Sequence, residues 1–417
     1  MRIQRDFYLN KLFSKRHNGM IKVITGMRRC GKSYLLFNLF SDALRNEGID
    51  ESHIIQINLE DRRNNELRDP DKLLQRIDSL IKDSQMYYIM LDEVQMVREF
   101  EDVLNSYLNV GNADVYVTGS NARFLSTDVI TEFRGRGDEV RVHPLSFSEF
   151  FSVWQGGQFM EQALNAYLEF GGLPKVATTE QIVGKKEYLL NLFTQTYLKD
   201  IKERYSIQLD ADLEELIDVI ASNIGCMTNP LKLQNTFKTV KQSNITQDTI
   251  KNYLGYMQDA FLIERAVRYD IKGRKYIDTP QKYYFEDLGL RNARLNFRQT
   301  EPTHLMENLI YNELRIRGYS VDVGRVTLNT RNERGVSERK QLEVDFVCNK
   351  GYDRVYIQSA FAMPTLEKQT QELNSLKRID DSFQKVVIAG GMQPTYRNND
   401  GILVLNIFDF LLGTVNV

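Results

Sequence analysis

The chain has 417 residues, 42% of them hydrophobic and 26% charged, with a formal net charge of −2. This is the composition of a globular protein with roughly two to four domains, and it excludes a wholesale polyanion binder, so any nucleic-acid contact has to come from a local basic face. Cys30, Cys226 and Cys348 lie far apart and outside C-x-x-C spacing, and no apolar run reaches membrane-spanning length. Neither a zinc site, a disulfide framework nor a membrane span is therefore expected. The charged amino terminus has no apolar segment behind it, which makes a cytoplasmic, reducing setting the expectation.

In chain order, the first strand-like run is Ile21 to Thr25, followed at once by Gly26-Met27-Arg28-Arg29-Cys30-Gly31-Lys32-Ser33. This is G-x-x-x-x-G-K-S between a strand and a helix, the pattern of a phosphate-cradling P-loop. The glycines let the backbone turn its N–H groups toward one anion, and the helix start adds its positive dipole end. Residues 26–33 with Tyr34 are the expected nucleotide contacts, Lys32 for the β- and γ-phosphates and Ser33 for Mg²⁺. Leu35, Leu36, Leu39, Phe40, Ala43 and Leu44 then share one side of a helix, and Gly48 stops it.

Further strand-like runs follow at Ile54 to Leu59, Tyr87 to Asp92, Val115 to Thr118 and Glu139 to Val142, with helical segments between them. Such alternation predicts a parallel sheet with helices on both faces and ligands at the carboxyl ends of its strands. Asp92 closes the third run and is placed to hold Mg²⁺, while Glu93 is placed to orient or deprotonate a water. Ser120 and Asn121, after the next run, are candidate γ-phosphate sensors. Asn58 either restrains Glu93 or simply ends its strand. Arg123, Arg134 and Arg136 are candidates to neutralise a transferring phosphoryl group, in cis or across a subunit contact.

The P-loop run, Leu91-Asp92-Glu93-Val94-Gln95, Thr118-Gly119-Ser120-Asn121-Ala122, Gly135-Arg136, Pro144-Leu145-Ser146-Phe147-Ser148-Glu149-Phe150 and Phe170-Gly171-Gly172-Leu173-Pro174 together resemble a known group. They are similar to the bacterial and archaeal AAA-type ATP-binding proteins whose carboxyl-terminal half is a conserved domain of unknown function. The resemblance implies ATP as the nucleotide. It also singles out Arg136, because the group carries Gly-Arg just before its Pro-Leu-Ser-Phe segment.

The expected layout is an α/β P-loop ATPase core over 1–155, a helical lid over 156–206, a winged helix-turn-helix over 207–298 and an α/β domain over 299–417. Gly171-Gly172-Leu173-Pro174 reads as a hinge. The winged-helix reading rests on helices at Leu213 to Ile224, Leu231 to Val240 and from Thr246, then strands at Ile263 to Tyr269 and Lys275 to Phe285. As a duplex-DNA reader it would use Gln247, Thr249, Lys251 and Asn252 in a groove and Arg268, Lys272, Arg274 and Lys275 on phosphates. The other reading of the same module is a spacer or protein-binding element.

The last domain is similar to the restriction-endonuclease-like fold, with Glu307 and Asp345 at the positions of its acids. Gln358 and Ala360 stand where that fold's second acid and lysine belong, so nuclease activity is not expected unless another lysine, such as Lys368, compensates. The function expected is Mg²⁺-dependent ATP binding and hydrolysis, coupled to a conformational change that acts on DNA or on a protein partner. A slow nucleotide switch in signalling or defence is the alternative, and an ATP-gated nuclease is disfavoured.

Overall fold

The computed structural model describes residues 2–119, 135–157, 159–207, 210–241, 243–299, 301–331, 337–363 and 365–415. The chain divides into two units, Met1–Pro144 with Asp259–Phe261, and Leu145–Gln258 with Leu262–Val417.

The first unit opens with helix α1 (Asp6–Ser14) and strand β1 (Ile21–Thr25). Helix α2 (Lys32–Tyr34) runs through a π-helical stretch, Leu35–Phe40, into α3 (Ser41–Asn46). Then come β2 (Ile54–Asn58), α4 (Pro70–Leu80), β3 (Tyr87–Asp92), α5 (Phe100–Tyr107), β4 (Ala113–Thr118) and β5 (Gly137–Arg141). The five strands are parallel in the order β2-β3-β4-β1-β5. All five residues of β1 are buried, as a strand between two neighbours and covered on both faces requires. One of them is Lys22, which is tolerated because Asp114 of β4 pairs with its ammonium and also accepts the Tyr116 hydroxyl at 2.7 Å. The five strands fall where the sequence places them to within a few residues; β1 and β3 are buried throughout, whereas β5, Gly-Asp-Glu-Val-Arg, buries only Val140.

In the second unit, α6 (Phe147–Ser152), α7 (Met160–Phe170), α8 (Pro174–Ala177), α9 (Ile182–Leu192) and α10 (Lys199–Arg204) are followed by α11 (Asp210–Ser222), α12 (Pro230–Thr236) and α13 (Gln247–Asp259). A hairpin, β6 (Ile263–Asp270) and β7 (Lys275–Phe285), leads to α14 (Leu288–Arg294) and α15 (Pro302–Ile316). The rest is β8 (Ser320–Arg331), β9 (Ser337–Lys350), β10 (Asp353–Ala360), α16 (Leu366–Lys377), β11 (Gln384–Ala389), β12 (Tyr396–Arg397), β13 (Leu403–Asn406) and α17 (Ile407–Leu411). The strands form one mixed sheet in the order β12-β13-β11-β10-β9-β8-β6-β7. Phe346 of β9 meets Tyr311 of α15, whereas Val344 and Val347 cluster with Leu376 of α16, so these helices cover opposite faces. Among the described residues no helix is long and apolar enough to cross a membrane.

Three expectations change here. The strands read as a separate wing belong to this sheet: β6 pairs in parallel with β8, Arg268 opposite Val323 and Asp270 opposite Arg325. A two-stranded ribbon leaves one edge of each strand unpaired, and β8 satisfies the edge of β6. A boundary at 298 would therefore cut through one sheet. The segment after Pro144 groups with the second unit, where Leu145 N–H donates to the Gly172 carbonyl at 2.8 Å. Finally, Gly171-Gly172 is a clamped junction rather than a hinge. Gly171 has φ 74°, and a Cβ there would lie 2.4 Å from the Asp287 carboxylate. Asp287 accepts Gly172 N–H at 2.8 Å and caps α14 by accepting Leu290 N–H at 3.0 Å.

Burial raises the Asp287 pKa from an ordinary 3.8 to about 6, against the pull of the N–H groups it accepts. Between those values the unfolded chain has released this proton while the folded chain keeps it. The contribution of Asp287 to stability is therefore greatest below about pH 4 and falls, by at most about 1.4 kcal/mol per pH unit, as the pH rises to about 6. Asp287→Asn is expected to flatten that part of the stability profile. Urea unfolding at about pH 4.5 and about pH 6.5 reads this out, and a variant with the wild-type difference would assign the slope to another group.

Candidate functional site

The loop from β1 to α2 owes its path to two glycines in the left-handed region, Gly26 at φ 136° and Gly31 at φ 101°, with Arg29 joining them at φ 65°. At Gly26 a Cβ would sit 2.1 Å from the Val142 carbonyl oxygen, so the close approach of loop and neighbouring backbone admits glycine alone. Met27 and Cys30 are fully buried beneath the loop, Arg28 is half-buried, and Arg29 and Tyr34 are exposed. Lys32 is buried, its ammonium donating to the carbonyls of Gly26 at 2.9 Å and Met27 at 3.1 Å.

The acids of β3 stand at the same edge of the sheet. Asp92 is buried and accepts hydroxyl hydrogen bonds from Ser33 and from Thr118, the latter at 2.5 Å. Burial raises its pKa, while both hydroxyls and the nearby Lys32 ammonium pull it back. Glu93 takes a left-handed backbone, φ 55° and ψ 48°, a conformation costing a non-glycine residue about 1 kcal/mol. Its N–H donates to Thr118 Oγ1 at 3.0 Å, and the Gln95 amide donates to its carboxylate. One threonine at the end of β4 thus ties both acids together.

Thr118 is a functional candidate that motif reading passed over. Its signal lies in the register: Leu91 pairs with Val117, so the next residues, Asp92 and Thr118, fall side by side.

The other candidates separate. Asn58 makes a turn, its Oδ1 accepting Glu60 N–H at 2.9 Å and Asp61 N–H at 3.2 Å, so the turn reading holds over the restraint of Glu93. Arg136 is exposed and precedes β5, where Ile21 N–H donates to its carbonyl at 2.9 Å. It therefore lies at the amino end of β1, about 16 Å of strand away from the P-loop, which removes it as a phosphate ligand in cis. Ser120, Asn121, Arg123 and Arg134 lie outside the described residues.

The residues fit a nucleotide phosphate with Mg²⁺. The Ser33 hydroxyl and the Asp92 carboxylate converge as hard oxygen donors, with the Lys32 ammonium beside the loop as a counter-charge for phosphate.

A second constellation lies in the second unit around Glu307 and Asp345. Glu307 accepts the Tyr284 hydroxyl at 2.6 Å and the Lys282 ammonium at 2.8 Å, and Lys282 also reaches Glu343 at 2.7 Å. Asp345 accepts Ser359 N–H at 2.8 Å, and burial with Glu307 nearby drives its pKa well above the usual carboxylate range. Gln358 accepts Asp345 N–H at 3.4 Å and the Ser375 hydroxyl at 3.3 Å, and so serves as a packing group. Lys368 pairs with Glu372 at 2.6 Å; the lysine at the acids is Lys282, which the sequence pattern did not point to. Among the described residues no three His, Cys, Asp or Glu side chains are arranged to hold a metal. Lys282, Glu307, Glu343 and Asp345 thus form one charge cluster, with a single ammonium among three carboxyl groups.

Of the residues read as facing a DNA groove from α13, Lys251 and Asn252 are exposed. Gln247 donates to Gln234 at 3.2 Å, Thr249 bonds Thr246 at 2.8 Å and Lys251 pairs with Asp248 at 3.2 Å. Arg268 donates to Gln341 at 2.8 Å, whereas Lys272, Arg274 and Lys275 are exposed at the β6–β7 turn.

Against known families, an AAA domain matches residues 18–151 and a domain of unknown function, DUF8612, matches residues 161–301. An uncharacterized protein of Haemophilus influenzae is 32% identical over 414 residues, covering 98% of each chain. An uncharacterized protein of Methanocaldococcus jannaschii is 28% identical over 394 residues, covering 91% of this chain and 82% of its own. Among solved structures, Cdc6p from Pyrobaculum aerophilum aligns over 74% of this chain and 95% of its own at 11% identity, with a TM-score of 0.31, a likeness too distant to bear on chemistry.

Removing the buried ammonium should be costly, because two carboxylates would lose their counter-charge. Lys282→Met is expected to lower the unfolding free energy by about 3–5 kcal/mol. Guanidinium chloride unfolding tests this, and a loss below about 1 kcal/mol would show that Lys282 does not hold the cluster.

Proposed function

Since the chain belongs to the same family as its Haemophilus influenzae relative and carries an AAA domain, we propose that it is a Mg²⁺-dependent ATPase with its reaction centre at the carboxyl edge of the five-stranded sheet. The observation that carries this reading is the linked set Lys32, Ser33, Asp92, Thr118 and Glu93, in which a buried ammonium, a hydroxyl–carboxylate pair and a second carboxylate share one loop edge.

In this reading Lys32 exchanges loop carbonyls for phosphate oxygens and neutralises their charge. Ser33 and Asp92 hold Mg²⁺, which on binding supplies charge neutralisation of the phosphates. Glu93 accepts a proton from the attacking water. Its strained backbone and the Gln95 amide fix where its carboxylate points. Thr118 keeps the two acids apart in role: its hydroxyl hydrogen engages Asp92, and its oxygen pins the Glu93 backbone. Ser120 and Asn121 remain the proposed sensors, and Arg136 acts only if it meets a second copy of the chain. Hydrolysis is coupled to a conformational change that works on DNA or on a protein partner in the cytoplasm. The exposed Lys272, Arg274 and Lys275 support the DNA form of that reading, through phosphates.

Two variants test the centre. Lys32→Ala is expected to weaken ATP binding by about a hundredfold or more. Glu93→Gln is expected to bind ATP as the wild type does and to lose about 10²–10⁴ in kcat. Calorimetric binding and phosphate release measure both, and wild-type turnover by Glu93→Gln would refute the assignment of the base. For the partner, Lys272→Ala with Arg274→Ala should weaken duplex binding across sequences and flatten its salt dependence; affinity indifferent to salt would exclude that contact.

A further inference from the structure

We infer that Arg5, from the segment ahead of α1, is a positioning residue for the phosphate-binding loop; this rests on reading that loop as a nucleotide site. Arg5 is buried, with 5% of its surface exposed. Its Nη1 donates to the Cys30 carbonyl at 3.2 Å and its Nη2 to the His143 carbonyl at 2.9 Å. The guanidinium lies 4.5 Å from the centroid of the Tyr8 ring, and the Tyr8 hydroxyl accepts His143 N–H at 3.1 Å. The Cys30 thiol donates to the Val142 carbonyl at 3.3 Å. Arg5 therefore joins the loop to the chain that follows β5, and Tyr8 supports both the guanidinium and the chain it binds.

The consequence follows from the planarity of one peptide. In a trans peptide the carbonyl and the following N–H point in opposite directions. Holding the Cys30 carbonyl on Arg5 directs the Gly31 N–H the other way, and Gly31, at φ 101°, has the left-handed backbone that a nest of inward N–H groups requires. Arginine suits this place better than lysine. Its planar fork serves two carbonyls at once, and it keeps its charge when buried. That fixed positive charge also lies beside the loop that would receive an anion.

The test uses the full chain with Arg5→Met, Arg5→Lys and Tyr8→Phe, read by ADP–Mg²⁺ calorimetry and by amide hydrogen exchange without nucleotide. Arg5→Met is expected to weaken ADP binding about tenfold or more and to speed exchange across residues 26–34, with the strands of the sheet unchanged. Arg5→Lys, able to serve one carbonyl, and Tyr8→Phe should shift both readouts in the same direction by less; they carry the comparison if Arg5→Met does not fold. Unchanged exchange in 26–34 overturns the inference. So does exchange raised throughout the first unit, which marks a merely structural residue, or local loosening with wild-type ADP affinity. A wild-type chain that binds no ADP would instead defeat the nucleotide reading, and the exchange data, which need no nucleotide, tell the two failures apart.

Discussion

A loop that binds an anion with its backbone must turn several N–H groups inward, and each carbonyl thereby turned elsewhere needs its own donor. The first unit is organised around that requirement. The carbonyls of Gly26 and Met27 take the Lys32 ammonium, and the Cys30 carbonyl takes Arg5. Val142 presses so closely on Gly26 that no side chain fits between them. These partners come from the start of the chain, from the loop itself and from the end of β5. The parallel sheet brings them together by placing β1 between β4 and β5.

The same sheet sets the acids. Parallel pairing of β3 and β4 puts Asp92 beside Thr118, and one hydroxyl then serves as donor to one acid and acceptor for the backbone of the next. Glu93 stays in an unfavourable backbone conformation because the Thr118 and Gln95 hydrogen bonds hold it there. The strain at Glu93 therefore sits directly beside the buried Asp92 carboxylate.

The second unit solves a different problem, the burial of charge in its interior. Lys282, Glu307 and Asp345 lie in its interior, with the Lys282 ammonium paired to Glu307. Asp287 does similar work at the Gly171-Gly172 junction, where it is the shared acceptor for a turn and for the cap of α14. Buried polar groups of this kind favour one packing arrangement over its competitors, because each alternative leaves a donor or a charge unsatisfied.

Much of this was visible in the residues alone. The glycine spacing around Lys32 and Ser33, the apolar strands and the acids closing β3 follow from local rules of backbone geometry and periodicity, which act over a few residues. Three helices followed by a hairpin could be read from 210 to 285 for the same reason. Local rules could not say that β6 would pair with β8, since pairing depends on which edge another segment of chain satisfies. Nor could they say that Lys282 would meet Glu307, that Arg136 would stand at the far edge of the sheet from the P-loop, or that Arg5 would reach Cys30. Those are encounters between residues distant in sequence, and they come about only when the packed chain has to neutralise every charge and satisfy every carbonyl it buries.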